Sequence, residues 1–219
     1  MSAERRVYAL TAPSVEPCTI DEVKLHARLP SGSTEDTWIT AAITAARSSA
    51  ELYTGCAFIQ RTFRQTSDFF SGPTNGDWWD GERQVPITAL SDREIELLPA
   101  PLVSVQSIKA YDDSDAATTV DPTTYIVDAS SNILRGRVAL RRGQVWPIVL
   151  RPINGLEIDF TAGMATTAAG LPPDIVLAIK MMVAYMYENR GECSCDGATS
   201  IISPCGAGML LNMYKQVRF

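Results

Sequence analysis

The stretch from Glu35 to Tyr53 constrains the fold most. Its apolar positions Ile39, Ala42, Ile43, Ala46, Ala50 and Tyr53 fall three or four residues apart, the spacing of one face of a helix. Half of that face is alanine, which lets a second helix approach closely, so the segment predicts a helix over 35–54 inside a bundle. Gly55 follows, the residue best suited to the left-handed position that ends a helix. Two further helices are predicted to complete the bundle. Thr19-Ile20-Asp21-Glu22 fits a capping box, in which the Thr19 hydroxyl accepts from the Glu22 amide and the Glu22 carboxylate reaches back. That predicts a helix over 20–29, stopped ahead of Pro30. Leu171-Pro172-Pro173-Asp174 opens a third, over 173–190, with proline in the first turn and an acid where the dipole favours one. Its apolar face carries Ile175, Ile179, Met182, Val183, Met186 and Tyr187.

Between the second and third helices the periodicity changes. Thr62–Asp68, Glu94–Leu98, Val103–Tyr111, Tyr125–Asp128, Arg137–Leu140 and Leu156–Thr161 are short runs rich in β-branched or aromatic residues. Turn formers such as Asn75-Gly76, Asp121-Pro122 and Asn154-Gly155 separate them, which predicts a small antiparallel sheet. Gly72–Gly81, holding Trp78-Trp79 among Asp and Gly, is expected to be a long loop. The expected class is therefore α+β: a small helical bundle, an inserted antiparallel β region and an extended C-terminal arm. The expected boundaries are 1–59 for the N-terminal helical part, 60–163 for the β insertion, 164–190 for the last bundle helix and 191–219 for the arm. Gly191, Gly197, Gly206 and Gly208, with Pro204, interrupt any long element in the arm. Ile201, Ile202, Met209, Leu210, Leu211, Met213, Tyr214 and Phe219 nevertheless need apolar surroundings. Anchors without a core of their own predict ordering on a partner; the alternative is that the arm packs back on its own bundle.

Chemistry is sparse in this chain. The net charge of −6 disfavours general binding to the phosphate backbone. His26 is the only histidine and has no partner constellation for nucleophilic catalysis. No phosphate loop or dinucleotide fingerprint is present. Cys193, Cys195 and Cys205 could supply three thiolates, but a C-x-C pair plus one distant cysteine is poor zinc spacing; plain thiols, or a reversible disulfide within the tail, are the expected state. No cofactor, no metal and no catalytic residue is assigned. The apolar stretch Ile175–Tyr187 is too short to span a bilayer, so no membrane contact is expected, and the chain reads as a product of a reducing cytoplasm. One charge pattern stands out: Arg135, Arg137, Arg141, Arg142 and Arg151 occur with no acid among them. They read either as a solvated sheet face or as a patch for an acidic neighbouring subunit or DNA phosphate.

The order of these features resembles the head–tail connector (adaptor) proteins of tailed bacteriophages, of which gene transfer agents use similar subunits. The resemblance is carried by Thr19-Ile20-Asp21-Glu22-Val23-Lys24, Glu51-Leu52-Tyr53-Thr54-Gly55, Phe58-Ile59-Gln60, Trp146-Pro147, Phe160-Thr161-Ala162-Gly163, Leu171-Pro172-Pro173, Tyr187-Glu188-Asn189-Arg190 and the terminal Arg218-Phe219. It implies a non-enzymatic subunit of the particle neck, made in the bacterial host cytoplasm. Such subunits form a ring, commonly of twelve, under the portal protein, between the capsid and the next neck protein (the stopper), and double-stranded DNA passes through the lumen unread. It also implies that the arm meets the portal, through Ile201, Ile202, Met209, Leu210, Leu211, Met213, Tyr214, Arg218 and Phe219. The sequence departs from the resemblance in two places: the Gly72–Gly81 loop is an addition, and the Cys193–Cys205 tail is unusual. Other readings left open are a stopper or tail-completion protein, and a small enzyme or assembly factor outside the particle.

Overall fold

The computed structural model describes residues 5–68, 94–129, 135–144, 150–190, 202 and 205–216. The chain divides into two compact units, Met1–Ala12 with Arg61–Ala162, and Pro13–Gln60 with Gly163–Phe219. The class is α+β. The Gly72–Gly81 loop, Trp146-Pro147, Cys193, Cys195, Ile201 and Arg218-Phe219 lie outside the described residues.

The first unit is built from strands β1 (Arg5–Ala9), β2 (Arg61–Ser67), β3 (Glu94–Leu97), β4 (Leu102–Tyr111), β5 (Ala117–Thr119), β6 (Tyr125–Asp128), β7 (Gly136–Leu140) and β8 (Leu156–Ala162). They form two antiparallel sheets where the sequence predicted one. The five-stranded sheet has the order β1-β2-β8-β4-β5 and the three-stranded sheet the order β3-β7-β6. Alternation along β8 puts Leu156, Ile158, Phe160 and Ala162 on the buried face. Phe160 lies across from Phe63 of β2, and the two rings stack at 5.9 Å. Buried Gln65 links the two sheets: its amide nitrogen donates to Glu96 O at 2.8 Å, and its oxygen accepts from Leu98 N at 3.2 Å. Gly136 is required by packing, because a Cβ there would stand 2.1 Å from the Leu102 side chain.

The short edge strands β1 and β5 were not foreseen, and residues 5–9 belong to the β unit rather than to the helical part. The reason is physical. β5 is exposed throughout, as are Arg6, Val7, Tyr8 and Ala9 of β1, so neither carries the apolar alternation that marks a half-buried strand. Ordering backbone costs about 1–2 kcal/mol per residue, and β1 offsets that cost through its ladder with β2 rather than through burial of apolar side chains.

The second unit holds α1 (Ile20–Ala27), α2 (Asp36–Thr54), α3 (Pro173–Glu188) and a short α4 (Ala207–Leu211). The capping box at Thr19 and Glu22 is present in both directions, at 3.3 and 3.2 Å. α1 ends at Arg28 in the left-handed conformation, with Leu29 N donating to Lys24 O at 2.9 Å, so closure of the helix comes before Pro30 acts. Gly55 closes α2 at φ 73°. The alanine face behaves as its spacing predicts: Ala42, Ala46 and Ala50 are buried with Ile39 and Ile43, and α2 packs against α3. Buried Arg47 is held between Glu16 and Glu51, at 2.8 and 3.0 Å, and the second Glu51 oxygen accepts from Phe58 N. Gly163, at φ 145°, passes so close to Gln60 that a Cβ would stand 2.5 Å from its backbone.

The C-terminal segment departs from the expectation of an extended arm. Ile202, Ala207 and Leu211 are buried in the second unit, with α4 against α3. The chain then turns along the end of α2. Gln216 N donates to Thr54 O at 2.8 Å, Tyr53 OH donates to Asn212 Oδ1 at 2.6 Å, and Cys56 Sγ donates to Tyr214 O at 3.4 Å. The polar, glycine-rich composition around it hid three apolar side chains spaced to fill one groove of the unit's own bundle.

Candidate interaction surfaces

The residues assigned to partner binding at the C-terminus separate into two sets. Ile202 and Leu211 face inward and belong to the core. Met209 and Met213, one helical turn apart, face outward at 81% and 74% exposure, beside Leu210 and Tyr214 at intermediate exposure. Leu52 on α2 is 87% exposed, and its chain neighbour Tyr53 is tied to the same C-terminal segment and carries the Lys215 ammonium over its ring at 4.6 Å. The second unit therefore displays Met209, Met213 and Leu52 as exposed apolar side chains, with Asn212 and Lys215 also exposed on the C-terminal segment. Methionine of this kind adapts its shape to an apolar partner.

The five arginines do not form one bare patch. Arg135 pairs with Glu96 at 3.4 Å, and Arg137 is held between Asp128 at 2.9 Å and Glu94 at 3.3 Å, all on the three-stranded sheet. Arg151 pairs with Asp115 at 2.8 Å, donates to Asn154 O and lies over the Tyr111 ring at 4.3 Å. Arg141 and Arg142, in the turn after β7, are both exposed. The acids that neutralise the cluster are remote in sequence and become neighbours through strand pairing, which no count along the chain could show.

A charged band unforeseen in the sequence crosses the other face of the five-stranded sheet. Arg64 makes a two-pronged contact with Asp159, at 2.6 and 2.7 Å, and reaches Glu157 at 3.1 Å; Lys109 follows at 3.8 Å. The Asp159 carboxylate, above all, pushes the Arg64 pKa up. Two cations against two anions leave the band neutral, and the fork geometry fixes it rigidly. The signal for it was period-two alternation in β2 and β8 with charges on the non-apolar positions.

In the second unit, Glu35 accepts hydrogen bonds from the Tyr187 hydroxyl and from Arg190 at 2.9 Å, and Arg190 lies over the Trp38 and Tyr187 rings at 4.0 Å each. The Tyr187 hydrogen bond is the main reason the Glu35 carboxyl is held below its ordinary value. A neighbouring cleft of about 350 Å³ is lined by Lys24, Leu29, Pro30, Glu35 and Tyr187. Its ammonium is already committed: Lys24 Nζ donates to Gly32 O at 2.8 Å and pairs with Asp36. A lysine so held is a poor nucleophile or base. His26 is exposed on α1, and burial pushes the Cys18 thiol up to about 11, far from a reactive thiolate. Cys205 is half-buried, with its thiol 3.6 Å from Ile202 O.

No family model and no curated protein matches the sequence. Among solved structures, the fold is shared with a chain in the neck of an empty gene transfer agent (GTA) particle computed with C6 symmetry. That match has a TM-score of 0.72 and 24% identity, over 98% of this chain and 97% of the other. A chain in the virion of a native gene transfer agent particle matches with a TM-score of 0.67 and 26% identity, over 97% and 96%. A third, in the neck of the native particle computed with C12 symmetry, gives 0.65 and 24%, over 98% and 97%. Both units, in their chain order, are thus shared end to end with particle chains.

Proposed function

We propose that this chain is a structural subunit of the neck of a phage-like, gene-transfer-type particle, acting as the ring-forming connector between capsid and tail. The observation that carries the reading is the end-to-end fold match at 26% identity to a chain of a gene transfer agent virion. The two neck structures support a ring, and a ring of twelve satisfies both C6 and C12 symmetry. In this reading the protein has no catalytic role. Its paired ionic groups each lie within one folded unit, and its exposed surfaces meet neighbours: other copies, the portal above and the stopper below. Double-stranded DNA passes through the lumen unread; an acidic chain neither grips nor reads it.

The apolar end formed by Met209, Met213 and Leu52 is the surface we assign to the portal, in place of the whole arm. Purified particles from cells encoding the chain provide the test. Mass spectrometry finds the chain at about twelve copies per particle if the reading holds, a copy number set by a closed ring. Its absence from particles that contain portal and capsid proteins overturns the reading. Location on the tail side of the stopper favours a tail-completion role instead.

A further inference from the structure

Among the described residues, each of the two sheets of the first unit ends in a strand with one unpaired edge. β1 forms one edge of the five-stranded sheet, with Val7 37% and Tyr8 47% exposed; β6 forms one edge of the three-stranded sheet, with Ile126 48% and Val127 36% exposed. An open edge with apolar side chains is a template for another strand. The directions of the backbone groups follow from two hydrogen bonds. Leu10 N donates to Thr62 O at 2.9 Å, so residues 10, 8 and 6 aim at β2 while Val7 and Ala9 aim outward. Arg141 N donates to Thr124 O at 2.9 Å, so Ile126 and Asp128 aim at β7 while Tyr125 and Val127 aim outward.

We propose that β1 of one copy adds antiparallel to β6 of the next, joining subunits edge to edge; this rests on the ring reading above. One register satisfies backbone, faces and charge together. It sets Val7 across from Val127 and Ala9 across from Tyr125, all four with outward N–H and C=O groups, so both are hydrogen-bonded pairs. It then sets Tyr8 across from Ile126, and Arg6 across from Asp128. The faces agree as well. Tyr8 and Arg6 share the sheet face of Arg64 and Thr66, and Ile126 and Asp128 share the face of Ala139 and Arg137. Apolar meets apolar and the one charge meets its opposite, whereas a slip of one residue would put inward-aimed groups together. The contact uses two different edges of the same chain, so it is head-to-tail and propagates around a ring. β1 against β1 would close at two copies.

The test is cross-linking in assembled particles. The Cα atoms of a hydrogen-bonded antiparallel pair are about 5.5 Å apart, within disulfide reach. Particles carrying Val7→Cys with Val127→Cys in one chain, mildly oxidised, yield a ladder of multiples of the chain on a non-reducing gel. Either single variant yields only the wild-type background. A Val7→Cys dimer overturns the proposal in favour of β1 against β1. A neck ring seen by microscopy with no ladder from the double variant overturns the proposal and leaves the neck reading standing. Absence of the wild-type chain from particles overturns both. As an independent variant, Arg6→Glu sets a second acid across the seam from Asp128 and lowers incorporation several-fold; unchanged incorporation counts against the pairing.

Discussion

Leu211→Ala separates a C-terminal segment built into the core from an arm that waits for a partner. Leu211 is fully buried on α4, packed toward α3 and the end of α2. A Leu→Ala change at such a site costs about 2–5 kcal/mol, from lost transfer energy and the cavity left behind. For a chain of this size, that lowers the melting temperature by roughly 4–20 °C if the second unit unfolds as a whole. If the segment instead detaches locally, the same energy appears as faster amide exchange at Gln216, Gly208 and Met209, whose N–H groups donate to Thr54 O, Ile202 O and Gly206 O. The increase would be roughly thirtyfold to several-thousandfold, at 1.4 kcal/mol per tenfold. Met213→Ala, at an exposed site on the same segment, leaves both readouts within experimental error and lowers incorporation into portal-containing heads. Unchanged melting and unchanged exchange in a folded Leu211→Ala protein would refute the packing of α4 as a core element.

Gly136→Ala forces a Cβ into the Leu102 side chain and is expected to cost about 1–3 kcal/mol by overpacking; a urea midpoint equal to wild type would count against the packing of β7 on β4. Gly163→Ala meets Gln60 backbone rather than a flexible side chain and also carries a positive φ, so its loss of stability exceeds that of Gly136→Ala in the same assay. Glu35 contributes stability that is present at neutral pH and fades as pH falls through its lowered pKa, because only the charged form is favoured by Tyr187 and Arg190. Tyr187→Phe removes the larger cause and moves the Glu35 titration up toward its ordinary value by NMR; an unmoved titration would show that Tyr187 does not set it. Cys18, buried and with its thiol pKa pushed up to about 11, resists alkylation in the native protein at neutral pH and reacts once the protein is denatured.

What the sequence made legible follows from the kind of signal each element carries. α2 was readable to within a residue because nineteen residues repeat one apolar face and Gly55 marks its end. The capping box at Thr19 fixed the start of α1 for the same local reason. β1 was invisible because none of its side chains from Arg6 to Ala9 is buried; its strand state comes from pairing with β2, whose partner residues are 54 or more positions away in sequence. The arginine cluster misled in a related way. Glu94, Glu96 and Asp128 come beside Arg135 and Arg137 only through strand pairing, and Asp115 comes beside Arg151 through the turn after β4. The C-terminal segment misled by composition, since glycines and cysteines around Ile202, Ala207 and Leu211 masked a short helix that completes its own bundle.

The central claim, a neck connector ring, is tested most directly by cryo-electron microscopy of intact particles, with the neck reconstructed without imposed symmetry. The account predicts twelve copies of this two-unit fold in one ring directly beneath the portal, with Met209 and Met213 turned toward it. Density for this chain elsewhere in the particle, or a neck whose ring is filled by another fold, would contradict it.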